Sequence, residues 1–196
     1  MARPRSTEAD TAILDAAIGE YARRGLEGMS VDTVAARAGV SKATIYRRYP
    51  SKVELIVAAA DQMCEEQSIR PDTGTVRGDL LAQLGNLCRV LADPVLGAAK
   101  RMLIIDAIQN DNLARMHREL VEQRRALTLD VFRRGIDRGE LRPDFDVEFV
   151  VDQLGGPIFY RHLLMHEIVD DAYIERLVDD FLARYGARSE AVTPGA

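Results

Sequence analysis

The sequence predicts an all-α protein of about nine helices, an N-terminal three-helix head joined to a larger C-terminal helical domain. Three observations lead there. Apolar residues recur at three- and four-residue spacing in every periodic segment, and no stretch shows the alternation and β-branched enrichment of a strand. A turn cluster from Ile69 to Thr75, containing Pro, Asp and Gly, separates residues 7–67 from residues 68–196. Charge divides near the same place: the first 52 residues carry nine basic and six acidic side chains, a balance of +3, so the remainder carries −8 of the net −5. A basic head on an acidic body presents one end to a polyanion and turns the other away.

With 196 residues, the chain is long enough for a small domain and a larger one. Its 47% hydrophobic and 29% charged residues exclude disordered and collagen-like classes. Cys64 and Cys88 lie in apolar helical stretches with no C-x-x-C pair, so neither a zinc site nor a redox motif is expected. Met1 to Ser6 lack the apolar run of a secretory signal, and no stretch reaches about 18 uninterrupted apolar residues. These features predict a cytoplasmic protein with no membrane association, cofactor or metal.

The first helix is expected from about Thr7 to Arg24, with Ile13, Leu14, Ala17, Ile18 and Tyr21 on one face and Gly25 where a C-terminal cap belongs. Ser30 caps a short second helix ending near Ala38, with Met29 and Val34 spaced as a hydrophobic staple. Gly39 supplies the positive φ of a sharp turn, Val40 inserts between the joined helices, and Ser41 caps a third helix that Pro50 stops. Ser51-Lys52-Val53-Glu54 is a capping box that starts a fourth helix, Ser51 to Ser68. Further helices are expected near Val76 to Ala92, Pro94 to Ile108, Asn110 to Asp137, Asp146 to Glu167 and Asp170 to Tyr185.

Two short helices around a glycine turn form a helix-turn-helix, whose second helix can lie in the major groove of DNA. Val40, Ile45 and Tyr49 point inward by spacing, leaving Lys42, Ala43, Thr44, Tyr46, Arg47 and Arg48 to face outward or flank the contact. Lys42 can donate to guanine O6 or N7, Thr44 offers a hydroxyl and a methyl, and Ala43 can touch a thymine methyl. Tyr46, Arg47 and Arg48 suit phosphates, and the arginines also suit bases. Lys52 opposes the dipole of its own helix, which a bound phosphate would relieve; the alternative is a solvated lysine. Ser30 and Thr33 are placed for backbone contact, and the arm with Arg3 and Arg5 either reaches a minor groove or is a plain basic tail.

The run VDTVAARAGVSKATIYRRYPSKVEL, within Thr7 to Leu55, resembles the DNA-binding domain of the tetracycline repressor (TetR) family of bacterial regulators. The resemblance implies a homodimeric repressor that binds a palindromic operator and is released by a small-molecule effector. It also implies that Lys42, Ala43, Thr44, Tyr46, Arg47, Arg48 and Lys52 occupy DNA-contacting positions, Arg48 standing where many members have histidine. The dimer bundle it implies falls on the last two long helices.

The last helix carries a stripe of Ile174, Leu177, Val178, Phe181 and Leu182, which is expected to form the dimer interface, the alternative being burial entirely within one subunit. The preceding helix is apolar around most of its circumference, and Gly155-Gly156-Pro157 should kink or interrupt it, either shaping a pocket wall or allowing close packing. Met102, His117, Phe159 and Tyr160 are candidate effector contacts. Two rival readings stand beside this one. His162 and His166, at i and i+4, could hold a metal in a sensor or enzyme, although H-x-x-x-H-E is not the zinc-hydrolase order. A constitutive DNA binder without an effector is the other, and the large body argues against it. No nucleophile elbow or phosphate loop points to catalysis, so a non-enzymatic regulator is expected.

Overall fold

The computed structural model describes residues 4–187, with side chains described from Thr7 onward; Arg3 and the side chain of Arg5 lie outside that range. Nine helices and no strands occur among the described residues: α1 Pro4–Gly28, α2 Val31–Ala38, α3 Lys42–Arg48, α4 Lys52–Gln67, α5 Val76–Ala92, α6 Leu96–Ala107, α7 Asp111–Asp137, α8 Val147–Leu163 and α9 Asp171–Tyr185. The helices gather into two compact units. One comprises the described residues through Ser68 with Arg89–Gln123, the other Ile69–Cys88 with the residues from Arg124 on, so α5 and α7 each contribute to both. Packing therefore groups α6 and the first part of α7 with the N-terminal helices.

In the first unit, α1 packs against α2, α4 and α6. Ile13, Ala17 and Tyr21, one face of α1, are fully buried with Val34, Ile45, Leu55, Ile56 and Leu113. Near its end α1 is kinked at Gly25, with φ 64° and ψ −176°, a backbone region essentially reserved for glycine. Asp106 of α6 anchors this kink, its Oδ2 accepting the Leu26 N–H at 3.1 Å. The buried Tyr21 hydroxyl faces the same carboxylate, and burial first, then Asp106, pushes its pKa upward.

The second unit is built around Phe132, whose ring stacks on Phe181 with centroids 5.1 Å apart, while Phe145 and Tyr185 pack edgewise and tilted around them. Asp79, completely buried on α5, accepts from the Thr73 N–H and hydroxyl and pairs with Arg134 of α7 at 3.1 Å. This network ties the 69–75 turn to two helices: Asp79 Oδ1 takes both Thr73 donors, while Oδ2 has the Arg134 ion pair and no hydrogen bond among the described residues, and the charge is offset by the guanidinium. Cys64 and Cys88 are free thiols; burial raises that of Cys88 to about 11.

Three expectations for this half are corrected. The α9 stripe is not an open surface: Ile174, Val178 and Phe181 are buried within the chain, and only Leu177 and Leu182 remain half-buried. α8 runs through Gly155-Gly156-Pro157 as one helix. The carbonyl that Pro157 leaves without its helical donor belongs to exposed Gln153, where water can serve it. α8 also stops at Leu163, because His166 turns to φ 54° and the Leu164 and Met165 N–H groups both close on the Tyr160 carbonyl. His162 and His166 therefore do not share a helix face, which removes the i, i+4 geometry of the metal reading. Among the described residues no cluster of three or more His, Cys, Asp or Glu side chains could hold a metal ion, and no helix is long and apolar enough to cross a membrane.

Burial of Phe181 makes it a folding residue. Phe181→Ala should lower the free energy of unfolding by about 3–5 kcal/mol in urea denaturation; a variant of unchanged stability that dissociates would return Phe181 to a subunit interface.

Candidate nucleic-acid interface

Three serines set the geometry of the head. Ser30, Ser41 and Ser51 adopt extended backbone and accept, through Oγ, the N–H of Thr33, Thr44 and Glu54 at 3.3, 3.2 and 3.1 Å. Behind the first two caps the staples close as the spacing requires. Met29 and Val34 are buried, and Val40 packs on the core with the buried Ile45. Gly39, at φ 66° and ψ 29°, ends α2 in the left-handed region and points α3 away from it. The Val40 N–H then closes on the Ala35 carbonyl at 3.0 Å.

Glu20 holds the end of α1 beside this motif. Its carboxylate is 2% exposed and is gripped by Arg23 at 2.9 Å and Arg24 at 3.1 Å, and the Ser30 backbone at the start of α2 adds a smaller influence that favours its charge. The Arg23 hydrogen bond, outweighing desolvation, holds the carboxyl below its ordinary 4.5.

With Ile45 buried and Tyr49 packed inward, α3 exposes Lys42, Ala43, Tyr46 and Arg47. Thr33 of α2 is also exposed, Ser30 and Thr44 are half-buried, and the Thr44 hydroxyl is 2.9 Å from that of Ser41. Two cations behave differently from the spacing argument. Arg48 is half-buried and turns back to pair with Asp10 of α1, bracing the end of α3 rather than projecting from it. Lys52, at the opposed end of the α4 dipole, reaches the Glu27 carbonyl at the end of α1 at 3.4 Å, where a positive charge is favoured. Lys42 is paired with Asp32 of α2 at 2.9 Å. Sequence spacing missed Asp10 and Asp32, because each acts on a neighbouring helix and only the fold sets those distances; Glu20 pairs at i+3 and i+4 within α1, and what spacing did not show is its burial.

The four candidate effector residues fall in different units. Met102 lies on α6 against the kink, its Sδ 3.6 Å from where a Cβ on Gly25 would stand. His117 on α7 is half-buried, and burial, then Lys100, lowers its pKa. Phe159 is half-buried and Tyr160 exposed on α8 in the second unit. On α8, Phe149, Gly156 and Tyr160 recur at i, i+7 and i+11 along one exposed face, with Leu164 just beyond the helix end.

Comparison with known proteins covers nearly the whole described chain. A family model described as "Bacterial regulatory proteins, tetR family" matches residues 13–59, and one described as "Tetracyclin repressor-like, C-terminal domain" matches residues 70–181. The chain is 34% identical over 177 residues to the uncharacterized HTH-type transcriptional regulator YdeS of Bacillus subtilis, spanning 90% of this chain and 89% of that protein. It is 34% identical over 192 residues to the DNA-binding transcriptional repressor TetR of Mycobacteroides abscessus, spanning 94% and 98%. A crystal structure of a TetR family transcription regulator superposes with a TM-score of 0.72 at 37% identity, covering 90% of this chain and 97% of that one.

The Glu20 geometry has a signed consequence for stability. A folded-state pKa below 4.5 contributes stability that is present above that pH and lost as pH falls through the folded value. Glu20→Gln should destabilise the protein at pH 7 by about 1.5–3 kcal/mol, the worth of hydrogen bonds to a charged group. In chemical denaturation at stepped pH, its difference from wild type should shrink on acidification; a constant difference would mean that the carboxylate charge plays no part.

Proposed function

Since the chain belongs to the tetracycline repressor family of bacterial DNA-binding transcriptional regulators, we propose that it is a homodimeric cytoplasmic repressor that leaves a palindromic operator when a small, largely apolar molecule binds it. Effector-responsive repression is typical of the family. The observation that carries the proposal is the exposed side of α3, with Lys42, Ala43, Tyr46 and Arg47 open beyond a capped glycine turn. Residues 7–67 take the DNA-binding role and residues 68–196 take effector binding and dimerisation.

In this reading α3 enters the major groove, while Ser30, Thr33, Lys52 and the N-terminus of α4 contact the backbone. Lys52 exchanges the Glu27 carbonyl for a phosphate, and Arg48 steadies α3 from behind through Asp10. Dimerisation falls to the α8 face of Phe149, Gly156 and Tyr160, which are 58% exposed, side-chain-free and 56% exposed respectively, so a partner helix can approach closely at the glycine. Leu177 and Leu182 are the half-buried remainder of the α9 stripe.

Effector response runs through α6. Met102 and Asp106 lie one helical turn apart, the first against the α1 kink and the second hydrogen-bonded to it, so displacing α6 displaces the end of α1 just ahead of Ser30. The effector acts by its preference for the displaced form. Moving the population from 1:99 to 99:1 requires about 10⁴-fold tighter binding to that form, or about 5.5 kcal/mol.

Selection of bound duplexes from a random pool tests the DNA reading, with inverted half-sites about one helical turn apart expected. Lys52→Ala should weaken binding to every sequence and reduce the salt slope by about 1, as loss of one phosphate contact does. Failure to enrich any duplex with folded protein would reject the proposal. For the dimer, Phe149→Asp combined with Tyr160→Asp should give folded monomers in sedimentation; a dimer that persists would place the interface elsewhere.

A further inference from the structure

The recognition helix carries three cations, and carboxylates from other helices hold two of them. Arg48 pairs with Asp10 of α1, and Lys42 donates from Nζ to Asp32 Oδ2 at 2.9 Å; Arg47 makes no ion pair among the described residues. Asp32 stands in the first turn of α2, and the Lys42–Asp32 pair is open to water, with side chains 48% and 70% exposed. A pair so exposed adds little to folding stability. A carboxylate beside the leading lysine of α3 also repels phosphates, which dominate affinity for DNA of any sequence. A first-turn carboxylate supports α2 wherever its side chain points, so pairing with Lys42 is not needed for folding and is unfavourable for tight binding, which leaves discrimination as the property the pairing can improve.

We infer that Asp32 is a specificity-determining positioning residue, which turns Lys42 from a phosphate contact into a reader of base edges. The inference rests on the proposed DNA reading of α3. A Lys–Asp pair has no net charge, so bringing it to a phosphate releases no counterion and gains little. The ammonium nevertheless has three donors, of which Asp32 uses one. The other two remain available to guanine O6 and N7, neutral acceptors whose hydrogen bonds do not require a net positive partner. Asp32 also fixes where the flexible lysine stem ends. Lys42 thereby keeps its value on the correct base and loses most of its value on an arbitrary phosphate.

The test uses full-length wild type, Asp32→Asn, Lys42→Ala and the double variant, titrated with the selected operator and with a random duplex of equal length over a salt series. Asp32→Asn should tighten random-duplex binding about eightfold at 0.1 M salt and steepen the salt slope by about 0.9, the yield of one added phosphate contact. Operator affinity should change less than twofold, so the ratio of operator to random affinity falls by most of that eightfold. In the Lys42→Ala background the same substitution should leave the ratio unchanged. Equal tightening on both duplexes, no change on either, or an undiminished effect without Lys42 would overturn the inference, since Asp32 would then act as background charge or not at all. A wild-type protein that does not distinguish its selected duplex from random DNA would instead overturn the functional reading beneath it.

Discussion

The head depends on the burial of α1. One face of that helix, Ile13, Ala17 and Tyr21, lies at the centre of a core shared with α2, α4 and α6. Because α2 and α3 are eight and seven residues long, neither would hold its shape alone in water. Their caps and staples set local direction, but α1 supplies the apolar surface on which that direction becomes a fixed position. Glu20 performs the polar part of the same task, its buried carboxylate gathering Arg23 and Arg24 at the end of α1 just ahead of the motif. A DNA reader needs its donors placed within fractions of an ångström, and here the rigidity comes from a helix that contributes none of those donors.

Much of this was legible in the sequence, and for identifiable reasons. The serine caps, the Gly39 turn and the staples are decided by neighbours within five residues, so spacing alone reveals them. Helix order was legible through apolar periodicity, and α5 begins and ends where that periodicity places it. What escaped depended on distant partners. Arg48 and Lys52 could be placed on a surface by periodicity, yet Asp10 and the Glu27 carbonyl decide where their charges rest. The α9 stripe was correctly apolar, but a stripe does not say whether its own chain or another covers it; Phe132 and Phe145 cover Phe181. His162 and His166 looked like a pair only while α8 was assumed to continue past Leu163.

A common electrostatic pattern runs through the head. Asp10, Glu20 and Asp32 each sit against cations of the same unit, so the basic residues near the N-terminus are not equally available to DNA, although their net excess already counts these acids. The acids are placed selectively: Arg48 is braced, Lys42 is oriented, and Arg47 is left without an ion-pair partner among the described residues. Formal charge thus describes the solvent-facing potential poorly, and geometry decides which cation steers and which one reads.

The Gly25 kink receives two attachments, Asp106 from α6 at Leu26 and Lys52 from α4 at Glu27. In the proposed mechanism an effector pulls on the first and a phosphate competes for the second, so both ligands bias one short piece of backbone. Thermodynamic reciprocity then makes the relation symmetrical: the factor by which effector weakens DNA affinity is the factor by which DNA weakens effector affinity. The chromosome is therefore an antagonist of the inducer. A cell holding more operator copies, or more non-specific DNA per regulator, would need a higher effector concentration for the same response, and the threshold of the switch would belong to the genome as much as to the protein.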